Sequence, residues 1–150
     1  MCNTSSNDLL VFMISDDYCS TKIGRYSGTT ETQTIYSGGG NHRLYSPDPF
    51  KYICENRNLD ICVADNRDRA VVVVKGDGSF RFRYIGFAIN IMSSFSFVGI
   101  ATDSNCHILI ADSRNECIHI LDKVGHFLRY IKNCGLREPW GFCVDSVSYT

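Results

Sequence analysis

Residues 58–84 read NLDICVADNRDRAVVVVKGDGSFRFRY, and residues 105–131 read NCHILIADSRNECIHILDKVGHFLRYI. The two stretches say nearly the same thing. Each opens on a turn-forming Asn and runs through a short apolar strand ending in Ala-Asp. Each then crosses a polar loop, returns as a second apolar strand, turns at a Gly and leaves as an aromatic-plus-basic strand. The offset is constant: Asp65 to Asp112 is 112 − 65 = 47, and Gly78 to Gly125 and Phe80 to Phe127 repeat it. A fixed period in the forties, holding several strands, marks a repeat architecture.

Working outward, the third unit shows the whole plan. VGIATD, HILIAD, ECIHILD and HFLRYI are four short strands, and PWGFCVD restarts the first of them. The second unit supplies KYICEN, DICVAD, AVVVVKG and SFRFRY. Its Lys75-Gly76-Asp77-Gly78 is a hairpin signal, since glycine accepts positive φ. Phe80, Phe82 and Tyr84 alternate with Arg81 and Arg83, which puts aromatics on one face and arginines on the other. The first unit is looser: LLVFMISDD, TKIGRYSG and TQTIYSG. No stretch carries helical periodicity of useful length. Four strands per unit of roughly 40–45 residues is the pattern of a β-propeller blade; a β-sandwich does not predict such self-similarity.

The predicted fold is therefore all-β, with propeller blades of four antiparallel strands. Residues 1–6 read as a disordered lead-in. Residues 7–150 read as a partial propeller, with blades at about 7–50, 51–97 and 98–138 and the start of another at 139–150. Propellers close with about four to eight blades, so roughly three form an incomplete ring. An open arc leaves unpaired backbone at its ends, which invites self-association through open blade edges.

Bulk properties bound the function. The 150 residues are 44% hydrophobic and 21% charged, enough to bury a core, and the net charge of −1 gives no global attraction to nucleic acid or to an anionic membrane. No run of 18 apolar residues occurs, so no membrane helix is expected. The first residues carry no signal-peptide pattern. None of the eight cysteines sits in a CxxC pair, and Cys62, Cys117 and Cys143 lie among apolar strand residues. They read as reduced, buried thiols of a cytoplasmic protein.

The pattern Gly99, Ile100, Asp103, Ala111, Asp112, Asn115, Ile118, Ile120, Gly125 and Phe127, with PWGFCVDS, resembles NHL repeats. It is similar to the C-terminal propellers of tripartite-motif proteins, especially the molluscan sets. ENRNLDICVADNRDRAVVVV and FRFRYIG resemble the same group. The resemblance covers about residues 7–145. It implies a non-catalytic recognition module that binds protein partners or single-stranded RNA, as the substrate-recruiting end of a ubiquitin-ligase-like protein. The RING zinc module of that family has no counterpart here: there is no CxxC…CxxC ladder. No cofactor and no metal are expected. The alternatives are a metal-dependent lyase or hydrolase of the NHL-propeller type, and an inactive gene fragment.

Candidate residues each carry two readings. Arg67, Arg69 and Arg114 follow second strands, in loops that gather at one end of a propeller, and form the candidate ligand-binding set; the plainer reading is a solvated loop. Asp68 and Glu116 dilute their charge, and no exposed aromatic is expected beside them. Arg81, Arg83 and Arg129 lie on outer strands, where charge discourages edge pairing. Asp65 and Asp112, like Asp103 and Asp145, end strands at repeat-equivalent positions and are expected to accept backbone N–H bonds in the next turn. His107, His119 and His126 share no metal-ligand spacing. Trp140 is expected between blades, and residues 37–41, Ser-Gly-Gly-Gly-Asn, read as a flexible connection. Period-two alternation places Ile61, Val63, Val72, Val74, Ile108, Ile110, Ile118 and Ile120 in the core.

Overall fold

The computed structural model describes residues 1–36, 43–86, 94–132, 137 and 139. Its described elements are twelve strands: β1 Cys2–Asn3, β2 Leu9–Ile14, β3 Thr21–Ser27, β4 Thr30–Tyr36, β5 Lys51–Glu55, β6 Ile61–Asp65, β7 Ala70–Val74, β8 Phe80–Tyr84, β9 Phe97–Thr102, β10 Ile108–Asp112, β11 Cys117–Leu121 and β12 Phe127–Ile131. They form three four-stranded antiparallel sheets, each in sequence order, as propeller blades do. Among the described residues no helix is long and apolar enough to cross a membrane.

The 47-residue offset survives at the level of single dihedrals. Leu59 and Cys106 take positive φ of 69° and 64° in the first turn of their blades, and Arg69 and Glu116 take 51° and 52° in the second. A ladder irregularity between Val73 and Val74 recurs between Ile120 and Leu121. Gly78 and Gly125, at φ 90° and 94°, close the third turn. A Cβ on Gly125 would sit 2.6 Å from the Phe82 ring of the preceding blade, and one on Gly78 would sit 3.1 Å from Ile35. Glycine there serves both the turn and the close approach of blades.

The first blade begins earlier than the sequence suggests. Residues 1–6, expected as a disordered lead-in, hold β1, which pairs with Leu9 and Leu10. The turn between them repeats the later ones: Asn7 N–H donates to the Thr4 carbonyl as Leu59 does to Asn56 and Cys106 to Asp103. LLVFMI is therefore the second strand of its blade. The period hid this because the first strand is only two residues long.

The core lies between blades, face against face. Leu10, Ile23, Ile35 and Tyr45 pack on Ile53, Ile61, Val63, Val72 and Val74. The opposite face of the second blade, Cys62, Ala64, Val71, Val73 and Tyr84, packs on Phe97, Ile100, Ile108, Ile110 and Leu121. This explains why β6 and β7 are buried at every position: each lies in a sheet covered on both faces. Seven of the eight predicted core positions are buried; Ile118 is half-buried. Alternation puts Ile118 on the face of the third blade turned away from the second, where the described residues place no further blade. Among the described residues the arc thus ends in sheet faces.

Candidate functional site

Lys51 pairs with Asp65, Asp65 with Ala70, and Val71 with Tyr84, so these residues mark one end of the second blade. The same end of the third blade is marked by Phe97, Asp112 and Cys117, and of the first by Ile14, Thr21 and Tyr36. Asn66 ties the blades in common orientation: its Nδ2 donates to Ser96 Oγ at 3.0 Å and to the Phe97 carbonyl at 3.2 Å. The loops 15–20, 66–69 and 113–116 therefore share one end of the arc.

Arg67, Arg69 and Arg114 all lie at that end, and all three are exposed. Arg114 Nη1 donates to Ser94 Oγ at 2.6 Å, which holds its guanidinium along the loop. Asp68 does not neutralise them; it faces Arg43 at 3.6 Å and Arg83 at 3.8 Å. The outer-strand arginines differ in kind. Arg81 grips the buried carboxylate of Asp60 with Nε at 2.6 Å and Nη2 at 3.0 Å, at the opposite end of the blade. That ion pair ties its guanidinium to its own blade. Arg129 is exposed on β12.

Two exposed aromatics share this end of the arc with the loop arginines. Tyr18 is 64% exposed in the 15–20 loop and Phe50 is 74% exposed just before β5, both at this end. Each borders a cleft. One, of about 300 Å³, is lined by Asp48, Phe50, Tyr52, Asn66, Ser96 and Val98. The other, of about 350 Å³, is lined by Phe12, Ile14, Ser15, Asp16, Tyr18 and Pro49. These aromatics lie outside the self-similar stretches, which is why the repeat pattern did not point to them.

Beneath the loops sit the strand-end aspartates. Both accept the predicted turn bonds, Asp65 from Asp68 N–H at 3.2 Å and Asp112 from Asn115 N–H at 3.3 Å. Both also reach back to the strand-entering segment: Ser46 N–H to Asp65 at 2.6 Å, Ser96 N–H to Asp112 at 3.0 Å. Their counter-charges differ. Lys51 Nζ lies 3.3 Å from Asp65, both side chains buried. Burial holds the Lys51 amine below the ordinary lysine value, against the pull of Asp65. In the third blade Val98 replaces Lys51, and His119 replaces Val72 at the same offset. His119 Nε2 lies 3.1 Å from Asp112 Oδ2, and its Nδ1 is 2.8 Å from the hydroxyl of Tyr84, across the blade interface. Burial alone would raise the Asp112 carboxyl; bonds from His119, Asn115 and Ser96 outweigh it and hold the group below the usual carboxylate value.

His119 is fully buried, ringed by Tyr84, Phe95, Phe97 and Tyr130 with centroids 4.9–5.8 Å away. The Cys117 thiol joins it: one donor atom each from Asp112, Cys117 and His119 lie within 4.8 Å of one another. Comparing histidines only with histidines misses this group. The signal was in the repeat, where the sister blade has Ala70 and Val72. His107 and His126 lie elsewhere, each bonded to the aspartate four residues before it, Asp103 at 2.8 Å and Asp122 at 3.2 Å. The six described cysteines are free, and Cys62 and Cys117 are buried as expected. Burial and the nearby Asp112 push the Cys117 thiol up to about 11. Cys143, Trp140, Asp145, the strand expected at 139–150 and the glycine run at 37–41 fall on residues outside the described ones, apart from Pro139.

No family model matches the sequence, and no curated protein matches it. Solved structures do match in fold. A protein of unknown function from Bacteroides caccae superposes with a TM-score of 0.60 at 14% identity, over 85% of this chain and 43% of that one. A catalytically inactive variant of virginiamycin B lyase from Staphylococcus aureus, solved with quinupristin, gives 0.63 at 14% identity, over 93% and 43%. A streptogramin B lyase structure gives 0.59 at 14%, over 89% and 44%. The chain spans less than half the length of each, and the likeness is one of fold: three consecutive blades of a β-propeller.

Proposed function

We propose that this chain is a non-catalytic recognition module of the NHL type, and that it binds a protein partner at the end bearing Arg67, Arg69 and Arg114. The observation that carries the reading is the company those arginines keep. They are exposed, they sit at one end of the arc, and exposed Tyr18 and Phe50 border clefts at that same end. Arginine and aromatic side chains around a recess are the usual anchors of protein interfaces. Asp16, Asp48, Asp68 and Glu116 share this end, so its charge is mixed, which suits a protein surface better than a polyanion. The described inner strands β5 and β9 carry no histidine, which leads us to prefer recognition over lyase chemistry. In a tripartite-motif-like protein the module would recruit the substrate of ubiquitin transfer.

The exposed aromatics favour one second reading, single-stranded RNA, whose bases stack on such rings. One experiment separates the two. Peptides selected by display on the immobilised chain, and labelled single-stranded RNA homopolymers, are titrated against wild type and Arg67→Ala/Arg114→Ala over a salt series. A protein-binding face selects acidic peptides with an apolar anchor, and the double variant weakens them at least about tenfold with modest salt dependence. An RNA-binding face binds homopolymer with a steep salt slope, which flattens by about one unit per lost phosphate contact. Unchanged affinity in the double variant, with loss on Arg129→Ala, would remove the loop-end assignment.

A further inference from the structure

We propose that Asp112, Cys117 and His119 form a binding site for a zinc-class divalent ion inside the third blade, an inference independent of the loop-end reading. The two sister blades make the argument. At the same offset the second blade has Asp65, Ala70 and Val72, and it neutralises its buried carboxylate with Lys51. The third blade lacks that lysine and supplies a thiol and an imidazole instead, on the same face of β11. An imidazole alone would have given the buried carboxylate a hydrogen-bond partner. The thiol adds a third donor, and an O, N, S set of this kind is what zinc selects.

The geometry is close to that of a bound ion. Asp112 Oδ2 and His119 Nε2 are 3.1 Å apart. Two ligands in a tetrahedron with bonds of about 2.0 Å stand about 3.3 Å apart. Both ligands are already oriented. Asp112 Oδ1 is held by the Ser96 and Asn115 amides, and Oδ2 accepts from Asn115 Nδ2 at 2.7 Å. His119 Nδ1 faces the Tyr84 hydroxyl at 2.8 Å, the outer partner a metal-bound imidazole requires. The thiol, within 4.8 Å of both, closes on the ion by a side-chain shift on the order of 1 Å. A carboxylate, a thiolate and a neutral imidazole around a dication leave no net charge in a buried space, which is the condition for burying ions at all. Loading releases the Cys117 thiol proton; the proton that His119 Nε2 directs at Asp112 leaves that nitrogen, so that the neutral ring carries its single proton on Nδ1, donated to the Tyr84 oxygen, and a water completes the shell. Because Tyr84 belongs to the second blade, the ion would also brace the blade interface.

Cobalt(II) is the probe. The full chain, freed of metal with chelator and reductant, is titrated with cobalt and then with zinc, and refolded with zinc in parallel. One equivalent of cobalt should bind with a thiolate-to-cobalt absorption in the near ultraviolet, zinc should displace it, and the thermal midpoint should rise. Cys117→Ala installs what the sister blade carries, so the fold should tolerate it. It should abolish the thiolate band and weaken binding at least about a hundredfold. Val98→Lys/Cys117→Ala/His119→Val carries the sister residues at all three offset positions and should also lose the ion. Two results would overturn the site: unchanged uptake and band in both variants, or no uptake by wild type even on refolding with zinc, which would leave the cluster a plain hydrogen-bonded pair.

Discussion

Ile110 and Lys51 show how much one side chain can decide here. Ile110 is fully buried in the interface between the second and third blades, on the face period-two alternation assigned to it. Ile110→Ala should cost about 2–5 kcal/mol, the range for deleting a buried branched chain where the surroundings cannot collapse. Chemical denaturation read by circular dichroism checks it, and an unchanged midpoint would show the strand face to be misassigned. Lys51 is a different kind of residue, because its removal leaves the carboxylate of Asp65 buried without a counter-charge. Lys51→Met is expected to lose about 3–5 kcal/mol. The double change Lys51→Met/Asp65→Asn should recover part of that loss, since a neutral amide needs no counter-charge, although its single oxygen keeps only one of the Ser46 and Asp68 N–H bonds, which go to different oxygens of Asp65. If the two losses simply added, charge compensation would not be the reason Lys51 is there.

At the scale of the turn, the blades reuse one device. Asp103 Oδ1 accepts the Asn105 and His107 N–H groups at 2.8 and 2.9 Å, and Asp122 Oδ1 accepts those of Val124 and His126 at 3.0 and 2.9 Å. Partial burial would raise the Asp103 carboxyl, but these bonds and the His107 ring outweigh it and hold the group below the usual carboxylate value. A group whose acidity constant is lowered on folding stabilises the fold above its unfolded value and loses that contribution as pH falls through its folded one. Wild type should therefore lose stability between roughly pH 5 and 2 more steeply than Asp103→Asn. Urea titrations across that window test it, and parallel curves would mean the turn contributes nothing. The third turn of the blade sets a steric demand instead. Gly125→Ala meets both a positive φ and the Phe82 ring, and should cost about 1–3 kcal/mol. The control Gly28→Ala meets the φ penalty alone, with nothing within 4 Å.

For the whole molecule, the consequence of the arc is that its outer blades each turn one face away from the core. Ile118 and its ladder partner Ile131 are only half-buried in the third blade, although their strands belong to an apolar pattern. A blade in a ring is covered on both faces, as the second blade is here. Self-association is therefore expected to be face to face and concentration-dependent. Light scattering over a dilution series would read it, and a monomer at every concentration would argue that the free faces are covered within the chain. Ligand binding at the loop end should be separable from association, because Arg67 and Arg114 lie in loops and not on those faces.

Blade plan, strand order, turn glycines and seven core positions were legible in the sequence, for one physical reason. A repeat unit meets nearly the same neighbours each time it recurs, so equivalent positions carry the same demand and the 47-residue offset exposes it. The loop arginines could be placed at one end by that same logic. What the sequence left open depends on contacts between non-equivalent positions. The first strand, Cys2–Asn3, is too short to show a period and is defined by its pairing with β2. Tyr18 and Phe50 lie outside the self-similar stretches, and only the strand pairing puts them at the same end of the arc as the arginines. The exchange of Lys51 for His119 crosses from an inner strand to a third strand, and Tyr84 joins it from another blade. Such compensation is a matter of distance in space, because a buried charge is satisfied by whichever group reaches it, whatever its place in the chain.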